Sequence, residues 1–432
     1  MNILIYTLRT LAITLTDPYY IFFLAVLVFM LYKRNRKISI MQKMIIGEPL
    51  YSPFELTISQ LVLGIFAGIL ASIMMSYLGV IYYGTEVIEI LFMTSIFLAI
   101  FSPKFICFSY SAAILGTLSI ILTVVYQNAG VGENTFLRVD IPSLIATVAV
   151  LHFVEGILII IDGKRGNIPV FRKVEGEIQG GFAFRRYWIV PVALFIMINT
   201  SLIADLGTTE PMPNWWPIVK TSIPSEILKK SVVALIPFYG MLGYKSNTFT
   251  QTKNQKTLMS GLFVIAYSMA LFLVAQLAHI NIFFQALAVV FAPVGHEAMI
   301  RIQAHFENTM EAKYVSRDGI MVLEVSPNSI GKALEIKGED TIVEINEEEV
   351  KTEEDISRIL NSKPESIFFK IRNPRGEIRE TSKHPYQKGK TILGILIVPT
   401  KVDKPESMRD FEKENFSDIL DKAKKDKEDG DE

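Results

Sequence analysis

The chain has 432 residues, half of them hydrophobic and a fifth charged, with 28 Phe and a formal net charge of −1. A soluble domain of this length would carry more charge, so a wholly soluble protein is excluded. The near-zero charge averages an apolar first two-thirds with a charge-rich last third, and nothing in it points to nucleic acid. Cys107 is the one cysteine, which rules out an intramolecular disulfide, and within its apolar run it reads as a small packing residue.

Up to about residue 300 the apolar residues fall in runs of roughly 15–23, long enough at ~1.5 Å per helical residue to cross a ~30 Å hydrocarbon core. Met1 to Thr16 has no basic region ahead of its apolar stretch and no small-residue cleavage site follows, so it reads as part of the mature protein rather than a leader. Asp17-Pro18 divides the stretch from Ile3 to Tyr32, leaving its first half either at the interface or turned back as a hairpin. Further spans are expected at Ile58 to Val80, Val87 to Phe101, Phe105 to Tyr126, Ser143 to Ile161, Trp188 to Ile203, Ile227 to Leu242, Leu258 to Ala278 and Ile280 to about Ile300. The runs lack the two-residue alternation of a membrane barrel. The fold class expected over residues 1–304 is therefore an α-helical polytopic membrane domain of about nine or ten spans. Gly64 and Gly68 form a small-xxx-small pair, suited to close packing within the chain or to a homo-oligomer face.

Cations set the orientation, because short loops rich in Lys and Arg stay cytoplasmic. One set of alternate loops holds Lys33 to Lys43, Lys104, Lys164 to Lys173, Arg185-Arg186 and Lys245 to Lys256; the other holds only Arg138, Lys220, Lys229 and Lys230, beside Trp215-Trp216-Pro217. The C-terminal third is accordingly expected in the cytoplasm.

From about Ser316 short strands and turns replace the apolar runs, giving a small α+β domain within 305–400. Met321 to Val325 reads as a strand, Ser326-Pro327-Asn328-Ser329 as a turn and Ile330 to Leu334 as a short helix. Thr341 to Ile345 reads as another strand. Thr352 to Asp355 is a capping box opening a helix with Ile356, Ile359 and Leu360 on one face. Ile367 to Ile371, a turn at Asn373 to Gly376, and Ile392 to Val398 follow. Residues 401–432 are a mixed-charge run too poor in apolar residues for a core, and read as a disordered tail.

The order of strand, Ser-Pro turn, short helix, Gly-Glu-Asp turn (Gly338 to Asp340) and Ile-x-x-Ile-Asn strand resembles the bacterial PDZ family over Ser316 to Val398. Glu347 stands where that family usually has Gly, and Glu339 interrupts its usual Gly-Asp. The resemblance implies a peptide bound by strand addition, with Leu393, Gly394, Ile395 and Leu396 along one side and Ile356, Ile359 and Leu360 along the other. Leu393-Gly394-Ile395 resembles the family's carboxylate-binding loop. Across residues 1–398 the chain resembles the MinJ family of division-site determinants, through Leu151 to Gly156, Ile168 to Phe171, Gly180-Gly181 with Arg185 to Trp188, and Ala292 to Glu297. That resemblance implies a non-enzymatic scaffold in the bacterial cell membrane, enriched at septum and poles, bridging a DivIVA-like coiled coil and a MinD-like ATPase.

The rival readings rest on ionisable residues within apolar runs, which are functional candidates by default. His296-Glu297 precedes a PDZ-like domain, as in site-2-type intramembrane metalloproteases, but a zinc helix needs a second His at i+4 and position 300 is Ile. Ile161-Asp162-Gly163 resembles the other protease motif yet lies on the wrong side of it in the chain. His152 and Glu155, at i and i+3, complete the polar set. Pairing of His152 or Glu155 with His296 or Glu297 between helices explains all four without a metal; proton handling in a transporter-like protein is the remaining alternative. The reading assigns no catalytic residue, no metal and no cofactor, and no Walker loop, dinucleotide fingerprint or serine elbow is found.

Overall fold

The structure is a computed structural model and describes residues 2–101, 103–130, 137, 139–198, 211–362, 366–383 and 393–400. The charged tail after Thr400 and Arg138 lie outside the described residues.

The chain begins with α1 (Asn2–Thr16) and α2 (Pro18–Ile46), which meet at a 69° bend. Asp17 caps α2 by accepting from Tyr19 N, and Pro18 takes the first helical position, where its missing N–H costs nothing. A bend of this size is that of a broken span or of a re-entrant loop. Next come α3 (Pro53–Leu78), β1 (Ile81–Tyr82), α4 (Thr85–Phe101), a 3₁₀ turn (Pro103–Ile106), α5 (Phe108–Asn128) and α6 (Ile141–Asp162). They are followed by β2 (Ile168–Val174), β3 (Glu177–Ile198), α7 (Ser225–Lys230), β4 (Val232–Thr248), α8 (Lys253–Leu277) and α9 (Ile282–Thr309). Five helices, α3, α5, α6, α8 and α9, are long and apolar enough to cross a membrane, or six elements with the bent α1–α2 pair. The chain is a multi-pass membrane protein with fewer helical spans than its hydropathy suggests. At 17 residues α4 reaches only ~26 Å.

The largest correction concerns Trp188 to Ile203 and Ile227 to Leu242, expected as helical spans. Their described residues from 188 to 198 and from 232 onward belong to β3 and β4, an antiparallel pair in register from Phe182↔Thr248 to Ile198↔Val232. Pro191, Pro237, Gly240 and Gly243 explain it: a mid-helix proline costs ~3 kcal/mol and glycine ~1 kcal/mol, and β-branched and aromatic neighbours favour a strand. A strand in apolar surroundings must still pair its backbone. β4 covers one edge of β3, while β2 covers the start of the other edge and β1 pairs with Phe195 and Ile196 near its end.

Between those two strands α3 lies against β3. A Cβ on Gly64 would stand 2.9 Å from the carbonyl carbon of Ile189, and one on Gly68 2.9 Å from Pro191 Cδ; the two carbonyl oxygens are closer still. The side chain of Ser72 accepts a hydrogen bond from Ala193 N at 2.9 Å. The Gly64/Gly68 pair therefore serves helix-to-strand contact inside the chain. Pleating sends Phe182, Phe184, Trp188, Val190 and Val192 into the main core with α6 and α8, and Tyr187 and Ile189 toward Leu31 of α2.

At the end of α6, Asp162 is fully buried and accepts from Arg186 Nε and Trp188 Nε1, both at 2.9 Å. Arg186 also donates to Ser59 Oγ at 2.8 Å. A buried guanidinium is tolerable only with such partners, so Asp162 of the Ile-Asp-Gly motif is the counter-ion of Arg186.

The C-terminal unit contains β5 (Ile320–Val325), α10 (Ile330–Ala333), β6 (Thr341–Ile345), β7 (Glu348–Glu349), α11 (Glu353–Asn361), β8 (Ile367–Arg372), β9 (Ile378–Lys383) and β10 (Ile395–Ile397). The strands form an antiparallel sheet in the order β10-β5-β6-β8-β9, with β7 paired to β6. Val322, Leu334, Ile342, Phe369 and Ile371 lie in its core. At the two departures from the PDZ pattern, Glu347 (φ 66) and Glu339 (φ 79) occupy the left-handed conformation that glycine adopts freely.

This unit docks on the helical region. Gly180 N donates to Tyr314 O at 2.9 Å, Lys253 pairs with Glu324 at 2.5 Å, and Ser326 Oγ donates to Glu48 at 2.9 Å. The basic segments around residues 33–43, 164–173, 185–186 and 245–256 gather at this end of the molecule. Lys104 pairs with Glu297 and lines a cavity shared with Lys245 and Lys256.

Candidate functional site

Two places bring the sequence candidates together. In the helical region His152, on α6, is buried, and its Nδ1 lies 2.8 Å from Val148 O. A carbonyl only accepts, so Nδ1 carries the proton and Nε2 turns its lone pair inward. Nε2 meets Cys107 Sγ at 3.1 Å and Ser109 Oγ at 3.4 Å. His296, on α9, approaches the same sulfur through Nε2 at 3.6 Å, and its ring stands edge-on to His152 with centroids 5.6 Å apart. The donor atoms of Cys107, His152 and His296 all lie within 4.8 Å of one another.

Glu155 lies one turn below His152, with Oε2 3.9 Å from Nε2. Glu297 turns instead to Tyr110, whose hydroxyl donates to it, and to Lys104. Tyr110 OH also lies 3.4 Å from His296 Nδ1. Tyr267 OH donates to Ala292 O at 2.6 Å and shares a hydrogen bond with Ser109. His152, Glu155, His296 and Glu297 thus do converge, around a sulfur that the sequence leaves as a packing residue. Cys107, Ser109, Tyr110 and Tyr267 were missed because only the meeting of α5, α6, α8 and α9 assembles them. Ser109, Tyr110 and Ser111 within an apolar stretch are the local signal.

A cavity of ≈ 540 Å³ is lined by Cys107, His152, Glu155 and His296 at one end, and by Lys245, Asn247 and Glu307 toward the C-terminal unit.

The second place is the β10 edge. β10 pairs with β5 through Ile395↔Val325 and Leu396↔Glu324, and among the described residues no strand pairs with its other side. Ile395 and Ile397 pack with Leu393 and Leu360 around the unit's core, whereas Leu396 turns the opposite way and packs with the main core beside Leu323 and Val398. Ile356 and Ile359 are buried in the core, whereas Leu360 is only partly buried against it. Gly394 has φ +61, and a Cβ there would lie 2.9 Å from Ser329 Oγ and 3.0 Å from Ser326 Cβ. Its glycine is required by the loop itself. Thr400 N donates to Glu353 at 2.6 Å, tying the end of this segment to the first turn of α11.

No protein-family model, curated protein or solved structure matches the chain.

Proposed function

We propose that the chain is a membrane scaffold whose C-terminal unit captures an extended segment of a partner protein by adding it as a strand to β10. The observation that carries this reading is the side of β10 that has no strand partner among the described residues, preceded by a left-handed glycine loop, with Leu360 of α11 on the same apolar core as Ile395 and Ile397. Strand addition needs free backbone donors and acceptors for affinity and side-chain pockets for selectivity. Ile395 and Ile397 on β10 and Leu360 across from them supply apolar walls; the loop at Leu393-Gly394 supplies backbone N–H groups for a terminal carboxylate.

In this reading the unit is a cytoplasmic PDZ domain, on the side chosen by the cation bias. Its partners are a DivIVA-like coiled coil and a MinD-like ATPase at the division site, and the resemblances at Leu151 to Gly156 and Ala292 to Glu297 support that placement. A site-2-type protease is disfavoured, since Ile300 stands where the second histidine belongs and Asp162 is committed to Arg186.

The test replaces Leu360 and Ile397 with Glu in the full chain. Partner recruitment should be lost while membrane insertion and the fold of the unit persist. A folded double variant that recruits both partners as well as the parent chain would overturn the reading.

A further inference from the structure

We propose that Cys107, His152 and His296 form a zinc site within the helical region. Tetrahedral zinc with Zn–S ≈ 2.3 Å and Zn–N ≈ 2.0–2.1 Å places sulfur and nitrogen donors roughly 3.6 Å apart. Cys107 Sγ stands 3.1 Å from His152 Nε2 and 3.6 Å from His296 Nε2, spacings close to that value, and the three donor atoms all lie within 4.8 Å of one another. One thiolate and two imidazoles suit zinc and its borderline neighbours; magnesium and calcium require oxygen donors.

The surroundings are those of a ligand set already oriented. The Nδ1–H of His152 is held by Val148 O, which fixes the tautomer that offers Nε2 to a metal. His296 Nδ1 faces Tyr110 OH, which donates onward to Glu297, so a carboxylate stands behind this imidazole through one hydroxyl. The three donors come from the segment before α5, from α6 and from α9, so the ion would join three elements far apart in sequence. The fourth donor comes from the cavity side, where the Glu155 carboxylate lies beside His152 Nε2. On binding, the Cys107 thiol loses its proton, which leaves through the cavity as zinc takes the thiolate.

The site is independent of peptide capture at β10, and its test needs no partner. The full chain, purified in detergent, is loaded with zinc or cobalt, dialysed and compared with Cys107→Ser and His296→Ala variants. Equimolar zinc should be retained, and cobalt should show tetrahedral d–d bands with a thiolate charge-transfer band that disappears in Cys107→Ser. Either substitution should weaken binding by more than the ~10–100-fold expected for loss of an outer-shell partner. His279→Ala, which removes a histidine outside the cluster that bonds to Gln276 O, should change nothing. Zinc K-edge absorption on the unmutated chain keeps the test independent of variant folding: a shell of one sulfur plus nitrogen donors supports the site. An oxygen-only shell, or a cobalt spectrum without a thiolate band, overturns it.

Discussion

Replacing Gly68 with alanine sets two effects of known sign against each other. Alanine is favoured over glycine in a helix by ~1 kcal/mol. The new Cβ, however, would lie 2.9 Å from Pro191 Cδ, 3.0 Å from Pro191 C and nearer still to its carbonyl oxygen, a group fixed in the β3–β4 register. Relief requires α3 to move away from β3 by ~1 Å, and a gap of that size forfeits a quarter to a half of each contact's dispersion energy. Over a few tens of atom pairs at ~0.1–0.2 kcal/mol this amounts to ~1–3 kcal/mol, the usual range for overpacking. The stretched Ser72–Ala193 hydrogen bond adds ~1 kcal/mol. The net expectation is a loss of ~1–3 kcal/mol, and a similar loss for Gly64→Ala. Gly240→Ala is the matched control, because its nearest neighbour would be Val190 O at an ordinary 3.7 Å. Thermal unfolding in micelles, followed by fluorescence of buried Trp188, reads all three. A Gly68→Ala protein as stable as the parent, or more so, would refute the close helix-to-strand contact.

Asp162→Asn should be far more damaging than a typical surface change, by ~3–5 kcal/mol, because it leaves the Arg186 guanidinium buried without its counter-ion; the same micelle assay checks it, and paired replacement of Asp162 and Arg186 by apolar residues should recover much of the loss. Glu347→Gly should stabilise the C-terminal unit by ~0.5–1 kcal/mol, since a non-glycine residue at positive φ costs ~1–2 kcal/mol and glycine returns part of that as entropy; chemical denaturation monitored by local hydrogen exchange reads the difference. Asp355 is held below the ordinary aspartate range by hydrogen bonds from Lys351 N and Thr352 N at the start of α11. A lowered folded pKa means that its contribution is complete above the unfolded value and disappears as pH falls through the folded one. Protection of α11 should therefore decline in acid below ~pH 4, and Asp355→Asn should flatten that dependence.

Residues such as Thr352 and Asp355 were legible because capping is local: two side chains, three positions apart, announce the start of α11. The strands around Val322, Ile342 and Ile371 were legible through their short alternation and flanking turns. The β3–β4 hairpin was not, because β3 is buried on both faces and its hydropathy shows no alternation to separate it from a helix. Pro191 and Pro237 were the available signal, outweighed by the length of the apolar runs. At the intramembrane cluster the ionisable residues stood out against their surroundings, but Cys107 is ordinary in sequence and acquires meaning only where α6 and α9 bring two imidazoles to its sulfur. Along the proposed groove the distinction between the partly buried Leu360 and the buried Ile356 and Ile359 depends on how α11 is rotated on the sheet, which a helix face of three apolar residues does not specify.

Hydrogen exchange on the full chain in lipid nanodiscs, with and without a DivIVA-like or MinD-like partner, tests strand capture most directly. Addition of a strand to β10 predicts new protection at residues 393–398 and in α11, with the exchange of α3, α6 and α9 unchanged. Binding that leaves 393–398 as exchangeable as before, while protecting another surface, would contradict it.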